Sequence, residues 1–488
     1  MDLPSRLIDV DSRGKGVKLV NTDDLPAGTS YAALSHVWGN PQTTPPFLVT
    51  TSSNLSPMME MVQLESLPQT FQDAVEVTRA LDLRYIWIDS LCIVQDSSED
   101  WKHEAPRMAK IYSNAYVTIV GTSATSAHDG FLKRAVPNIP PARVPYSIPS
   151  RGSFETGFCY MQAKYSSCLY HEPSMDLEGA LWNTRGWTFQ ERILSRRLVH
   201  FTKSLVFVEC WSADWSEDNR VPGSLHINRM PWLGGRSSSG ECSEDPADLL
   251  RSWYNIVEAY TRRSLTVEKD KLVALAGVIE RISKMTGFTN VAGLWIDDFA
   301  DGLLWYMPSK ELRRRRLEHP QGPSWSWASW DGPIYCRPNF YTSGIESKEA
   351  CFEILQIGSV QSPFIPDSGH LRVRGLLVPV NRTILSLKPG SVSLDMNCDE
   401  SGLLYHDTIS DEFDEKLVAF PVLHYTVEGK GAYELLLLSP VPGRSLHFRR
   451  KGLVTTSEED AWPGPLETPL GSLLSFPATS SILEFTII

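Results

Sequence analysis

No run of apolar residues in the chain approaches the roughly 20 that a bilayer-spanning helix requires, so no membrane span is expected. The opening stretch, MDLPSRLIDVDSRGKG, lacks the apolar core of a secretory signal, and a cytoplasmic protein is expected. Positive charge is in short supply: 46 Lys and Arg face 58 Asp and Glu, a net charge of −12, which argues against nucleic acid as the main partner. Arg313 to Arg316 is the one dense basic cluster, and it reads as a solvated helix end. The eight cysteines form no CxxC pair and have no histidine at ligand spacing, so free thiols in a reducing compartment are expected and a metal site is not. There is no G-x-x-x-x-G-K-[ST] loop, no G-x-G-x-x-G turn after a strand and no G-x-S-x-G elbow. NTP hydrolysis, dinucleotide redox binding and α/β-hydrolase chemistry therefore lack their signatures, and no resident cofactor is expected. His128-Asp129-Gly130 reads as a turn.

What is present is ordinary globular chemistry, with 42% hydrophobic and 21% charged residues. A chain of 488 residues exceeds one core and implies two or three domains. After a lead over residues 1–30, Tyr31 to Val37 reads as a strand that exits sharply at Trp38-Gly39-Asn40-Pro41. Ser66-Leu-Pro-Gln69 has the form of a capping box, and Phe71, Ala74, Val75, Thr78 and Leu81 supply the helical stripe behind it. Arg84 to Val94 is a nearly continuous apolar run, the mark of a strand buried on both faces, and Asp89 stands at its end. Ser97 or Ser98 can cap a helix bearing Met108, Ile111, Tyr112 and Ala115; Tyr116 to Val120 is a third buried strand. Strand, helix, strand, helix, strand predicts a doubly wound α/β sheet, interrupted by a Pro-, Ser- and Tyr-rich insertion at about 131–180.

Leu181 to Cys210 reads as a helix followed by a strand. Trp187, Glu191 and Leu194 fall at i, i+4 and i+7, which puts a carboxylate inside an apolar stripe. Trp187, Thr188, Leu194 and Ser195 occupy the positions three and four residues away, and none is basic. If that face is buried, Glu191 needs a tertiary partner or carries a raised pKa, as active-site carboxylates often do.

Residues 211–349 read as a linker and helical region: a Gly/Ser/Pro-rich linker (222–246), a helix with Leu250, Trp253, Tyr254, Val257 and Tyr260, and another from about Val267 to Met285. Pro323 to Trp330 alternates Trp325 and Trp327 and predicts a strand, its tryptophans being core residues. Residues 350–488 are β-rich, with strand candidates FEILQIGSV, HLRVRGLLVPV, KLVAFPVLHY, YELLLLSPV, KGLVTT and SILEFTII, and predict a small sandwich or barrel.

Three blocks resemble the signature of the fungal heterokaryon-incompatibility (HET) domain: Tyr31-Ala-Ala-Leu-Ser-His-Val-Trp-Gly39, Tyr85-Ile-Trp-Ile-Asp-Ser-Leu-Cys-Ile-Val-Gln-Asp96 and Arg185-Gly-Trp-Thr-Phe-Gln-Glu-Arg192. The resemblance covers residues 31–210 and implies non-self recognition and programmed cell death on hyphal fusion. HET domains are similar to TIR domains, so it also implies a TIR-like, flavodoxin-like sheet. Enzymatic TIR domains hydrolyse NAD with a Glu four residues after a Trp, the spacing of Trp187 and Glu191. NAD is then a substrate, with Glu191 stabilising the cation that forms on the ribose; the alternative is a pairing of Glu191 with Arg185, Arg196 or a more distant arginine. Ser35, His36, Trp38 and Gly39 sit where a nucleotide would enter. Trp38 would stack on a base or pack its loop, and His36 would act on protons or serve as a core histidine. Asp89 would bind a ribose hydroxyl or cap a turn, and Arg185 would face phosphate or make a surface pair. The rival functions are a non-enzymatic module that self-associates and recognises an allelic protein, and a scaffold recruited for another small-molecule reaction.

Overall fold

The computed structural model describes residues 2–11, 16–133, 142–150, 153–161, 173–210, 214–217, 246–307, 315–316, 322–336, 345–358, 369–379, 403–406, 417–427, 430–457 and 482–488. They fall into two compact units, Met1–Thr184 with Leu194–His226, and Arg185–Ile193 with Ile227–Ile488. In chain order, up to the linker, the elements are β1 (Arg6–Asp9), β2 (Gly16–Asn21), β3 (Tyr31–Ser35), α1 (Leu55–Glu60), β4 (Val62–Gln63), α2 (Gln69–Ala80), β5 (Tyr85–Trp87), α3 (Asp89–Cys92), α4 (Ser98–Glu104), α5 (Met108–Asn114), β6 (Val117–Val120), β7 (Ala142–Ser150), β8 (Ser153–Met161), α6 (Pro173–Glu178), α7 (Gly186–Leu194), β9 (Arg197–Phe201), β10 (Val206–Cys210) and β11 (Asp214–Ser216).

The first unit is built on one nine-stranded sheet, ordered β11-β10-β9-β6-β3-β5-β1-β2-β4. Its centre is parallel: β3 pairs with β5 and β6, and β6 with β9. Every residue of β3 and β6 is buried, which is why these strands read as continuous apolar runs. Taken in chain order, the four parallel strands lie second-first-third-fourth across the sheet. The winding reverses between β3 and β6, the point in an open α/β sheet at whose carboxyl ends ligands generally bind.

The expected lead contributes two strands. β1 is antiparallel to β5, with Ile8 opposite Ile86, and β2 is antiparallel to β1. The strand expected from Arg84 to Val94 stops at Trp87, because Asp89 opens a helical turn in which its Oδ1 accepts from Ser90 N at 2.7 Å. The capping box does not form: Ser66 Oγ donates to Gln63 O at 2.7 Å inside its own 3₁₀ turn, and Gln69 Nε2 donates to Asp73 at 2.7 Å. α2 starts from an extended Pro68, and its Phe71, Ala74, Val75 and Thr78 are buried as the stripe predicted, whereas Leu81 is exposed. Ser97 does cap α4, accepting from Asp100 N, but the single helix expected there is broken by a 3₁₀ turn at Ala105–Arg107, so Met108, Ile111 and Tyr112 lie on α5 and Ala115 at its C-cap. The insertion supplies the β7–β8 hairpin and α6.

In the second unit α8 (Pro246–Thr261) stands where its stripe predicted, while the linker expected at 222–246 lies outside the described residues apart from Pro246. The next expected helix is broken into 3₁₀ turns at Glu268–Asp270 and Val273–Leu275 before α9 (Ala276–Thr286), which ends on Gly287 at φ 77°. Pro323 to Trp330 is not a strand. Ser326 Oγ accepts from Ala328 N and turns the chain into a 3₁₀ turn, Trp327–Ser329. Trp330–Asp331 then pairs with Arg315–Arg316, so these two arginines lie in a two-residue strand and not at a helix end. Trp325, Trp327 and Trp330 are buried as expected; Trp325 Nε1 donates to Gly369 O at 3.2 Å and Trp327 Nε1 to Gly293 O at 3.0 Å. All six expected C-terminal strands are present. They join one nine-stranded sheet, in which seven strands neighbour one another in the order Ile345–Ala350, Val418–Val427, Lys430–Pro440, His447–Ser457, Ile482–Ile487, Leu371–Leu376, Glu353–Ile357, while Val378–Pro379 pairs with Val418–Val427 and Leu403–His406 with His447–Ser457. Among the described residues no helix is long and apolar enough to cross a membrane, and no group of three or more His, Cys, Asp or Glu could hold a metal ion.

Candidate functional site

The sequence-predicted residues divide between the units. Ser35, His36, Trp38, Gly39 and Asp89 belong to the first, and Arg185, Trp187 and Glu191 to the second.

In the first unit, β3 delivers Ser35 and His36 to the carboxyl edge of the sheet, both buried, with half-buried Trp38 and Gly39 following. Gly39 has φ 104°, and a Cβ there would approach Thr44 Oγ1 to 2.5 Å, so only glycine lets the chain turn away at this point. β5 delivers Asp89 to the same edge. Its Oδ2 accepts from Trp38 Nε1 at 2.9 Å, its Oδ1 lies 4.0 Å from His36 Nδ1, and its side chain keeps 24% exposure. Phe47 packs edge-on against both Trp38 and Phe71, and Phe71 packs edge-on against His36, so the aromatic groups are mutually fixed. Ser35 Oγ accepts from Trp182 Nε1 at 2.6 Å. Behind the edge lies a relay the sequence reading missed. Thr122 Oγ1 is 3.2 Å from His200 Nδ1, and His200 Nε2 is 3.3 Å from Glu209 Oε2, with His200 and Glu209 fully buried. Its only sequence signal is two polar residues at inward-facing positions of β9 and β10. The edge thus offers a half-exposed carboxylate and an oriented indole, backed by a buried imidazole–carboxylate pair.

In the second unit, α7 is gripped by residues far along the chain. Trp187 Nε1 donates to Asp270 Oδ2 at 3.1 Å, and burial raises the Asp270 carboxyl against that hydrogen bond. Gln190 Oε1 accepts from Gly277 N at 2.9 Å. Arg263 Nη1 donates to Arg185 O at 3.2 Å and to Thr188 Oγ1 at 3.1 Å, with its guanidinium 4.8 Å from the Phe189 ring centroid. Glu191 is 6% exposed. Burial and the nearby Arg192 push the Arg263 guanidinium down, and Glu191 acts the other way, so carboxylate and guanidinium lie within electrostatic reach. Arg263, Asp270 and Gln190 escaped the sequence reading because their contacts join segments more than 70 residues apart. Arg185 is tied through its backbone, which also bridges to Ser264.

Residues 31–191 match the family described as Heterokaryon incompatibility protein (HET). The matched span runs from the first residue of β3 through Glu191. No curated protein and no solved structure matches it.

Proposed function

We propose that this protein is an effector of fungal heterokaryon incompatibility that kills the cell by cleaving the nicotinamide–ribose bond of NAD, with Glu191 as the catalytic carboxylate. The observation that carries this reading is the buried Glu191 on α7, four residues after Trp187 and within electrostatic reach of a guanidinium. Breaking that bond builds positive charge on the ribose. A carboxylate fixed on a rigid helix stabilises the charge without reorganising at the moment of reaction, and water then attacks the ribose carbon as nicotinamide leaves. The second-first-third-fourth order of the parallel strands is also the order of flavodoxin-like sheets, which supports a TIR-like ancestry. In the first unit, Asp89 and Trp38 have the chemistry to hold a ribose hydroxyl and a base ring.

One observation favours a second reading, in which the domain is a self-associating module that recognises an allelic protein. Trp187, Thr188 and Gln190 are hydrogen-bonded to Asp270, Arg263 and Gly277 of their own unit, and Glu191 within electrostatic reach of Arg263 fits a purely structural clamp equally well. Expression of the wild type and Glu191→Gln in fungal cells separates the two. Death accompanied by NAD loss and nicotinamide release with the wild type alone supports the hydrolase; killing with NAD unchanged supports the module.

A further inference from the structure

A pocket of about 390 Å³, counting the part open to solvent, lies in the second unit, where Tyr260, Arg263, Glu268, Lys271 and Asp331 contribute to its wall. Lys271 is 6% exposed, an unusual condition for this side chain. Its main chain is fixed by Tyr260 Oη, which donates to Lys271 O at 2.6 Å. Its Nζ donates to Trp330 O and lies 5.7 Å from the Trp327 ring centroid. The cation is therefore desolvated, with carboxylates at Glu268 and Asp331 near enough to act on it. A lysine held in a dry wall beside proton acceptors is the arrangement by which amines become nucleophiles near neutral pH.

We propose that this pocket is a covalent carbonyl site, in which the Lys271 amine condenses with a small aldehyde or 2-oxo acid. A bond forms between Nζ and the carbonyl carbon, and the C=O bond breaks. The amine gives up two protons, the oxygen leaves as water, and the product is an imine; no electrons are exchanged with an outside reagent. Glu268 and Asp331 can accept and return the protons. Arg263 brings a positive charge to the same wall at neutral pH, so a carbonyl compound bearing a carboxylate fits better than a neutral one. Burial pushes the Lys271 ammonium down to about 8, against the opposing pull of Asp331 and Glu268, which leaves a useful fraction of free amine at neutral pH. The site does not depend on the NAD reading.

The test is reductive trapping on the full chain, with glyoxylate as the probe and cyanoborohydride as the reductant, read by peptide mass spectrometry. At pH 7, Lys271 should be modified about tenfold or more faster than an exposed lysine such as Lys284, with the rate rising through about pH 8. Glyoxylate should outrun glycolaldehyde, which lacks the carboxylate. Asp331→Asn, checked for folding by circular dichroism, removes a group that favours the ammonium and should move the pH midpoint down. If Lys271 stays unmodified until the chain is unfolded, or reacts no faster than Lys284, the lysine only braces the Trp330 carbonyl and the proposal fails. Should Asp331→Asn not fold, the wild-type rate ratio and its pH midpoint decide the matter alone.

Discussion

At the scale of single residues, the carboxyl edge of the first sheet depends on Asp89. It accepts the only hydrogen bond described for the Trp38 indole N–H, at 2.9 Å, and also the Ser90 main-chain N–H at 2.7 Å. Asp89→Ala leaves both donors without that partner in a half-buried place and should cost about 1–3 kcal/mol. Asp89→Asn keeps one acceptor and should cost less. Urea denaturation followed by tryptophan fluorescence orders the three proteins, and an Ala variant as stable as the wild type would remove Asp89 from this structural role. Asp298 has the opposite character, a carboxyl held against ionisation. Burial first, and then the nearby Asp301, raise it to about 7, while the Tyr254 hydroxyl donates to it and Lys348, paired with Asp301, pulls the other way. Its unfolded value is near 3.8. Between those two values the folded state holds a proton that the unfolded state has released, so stability should fall as pH rises from about 4 to about 7. The urea midpoint should therefore be higher at pH 5 than at pH 8, and Asp298→Asn should flatten that difference; a slope unchanged in the variant contradicts the assignment.

At the scale of elements, α2 is tied to the loop after β6 by Thr70, whose hydroxyl donates to Ser126 O and accepts from Gly130 N, and by Asp73. Asp73 is 4% exposed; its Oδ2 accepts from Phe131 N at 2.6 Å and Leu132 N at 2.9 Å, and its Oδ1 from Gln69 Nε2. Asp73→Ala strands two main-chain donors in a buried place and should cost about 3 kcal/mol, read as a lowered urea midpoint and faster proteolysis near Gly130. Gly130 itself has φ 70°, and a Cβ there would meet Asp73 Oδ2 at 2.8 Å, which is the backbone reason that His128-Asp129-Gly130 is a turn. The central strands were legible because a strand buried on both faces must be apolar throughout. β1 and β2 were not, since charged and polar residues interrupt them, Arg6 and Asp9 in the first and Lys18 and Asn21 in the second, and break the apolar run. The Trp-rich segment failed for a different reason. Its alternation of Trp and Ser imitates a strand, but Ser326 uses its hydroxyl to accept from Ala328 N, and that local bond overrides the period.

At the scale of the whole molecule, the HET match takes in residues 31–191, yet its last stretch, residues 185–191, belongs to the second unit. That division was invisible in the sequence because it rests on hydrogen bonds between residues 83 and 87 positions apart, such as Trp187 to Asp270 and Gln190 to Gly277. The carboxylate and the residues of the β3 edge are consequently presented by different units. The Glu191-bearing helix is held by residues that lie beyond the end of the matched span. The chemistry proposed for Glu191 thus belongs to the full chain. The most direct measurement is cellular NAD content, with released nicotinamide assayed alongside, after induction of wild type and Glu191→Gln at matched protein levels. The expected result is NAD falling and nicotinamide rising with the wild type alone. NAD held steady in cells that die from either protein, or depleted equally by both, would contradict Glu191 as the catalytic carboxylate.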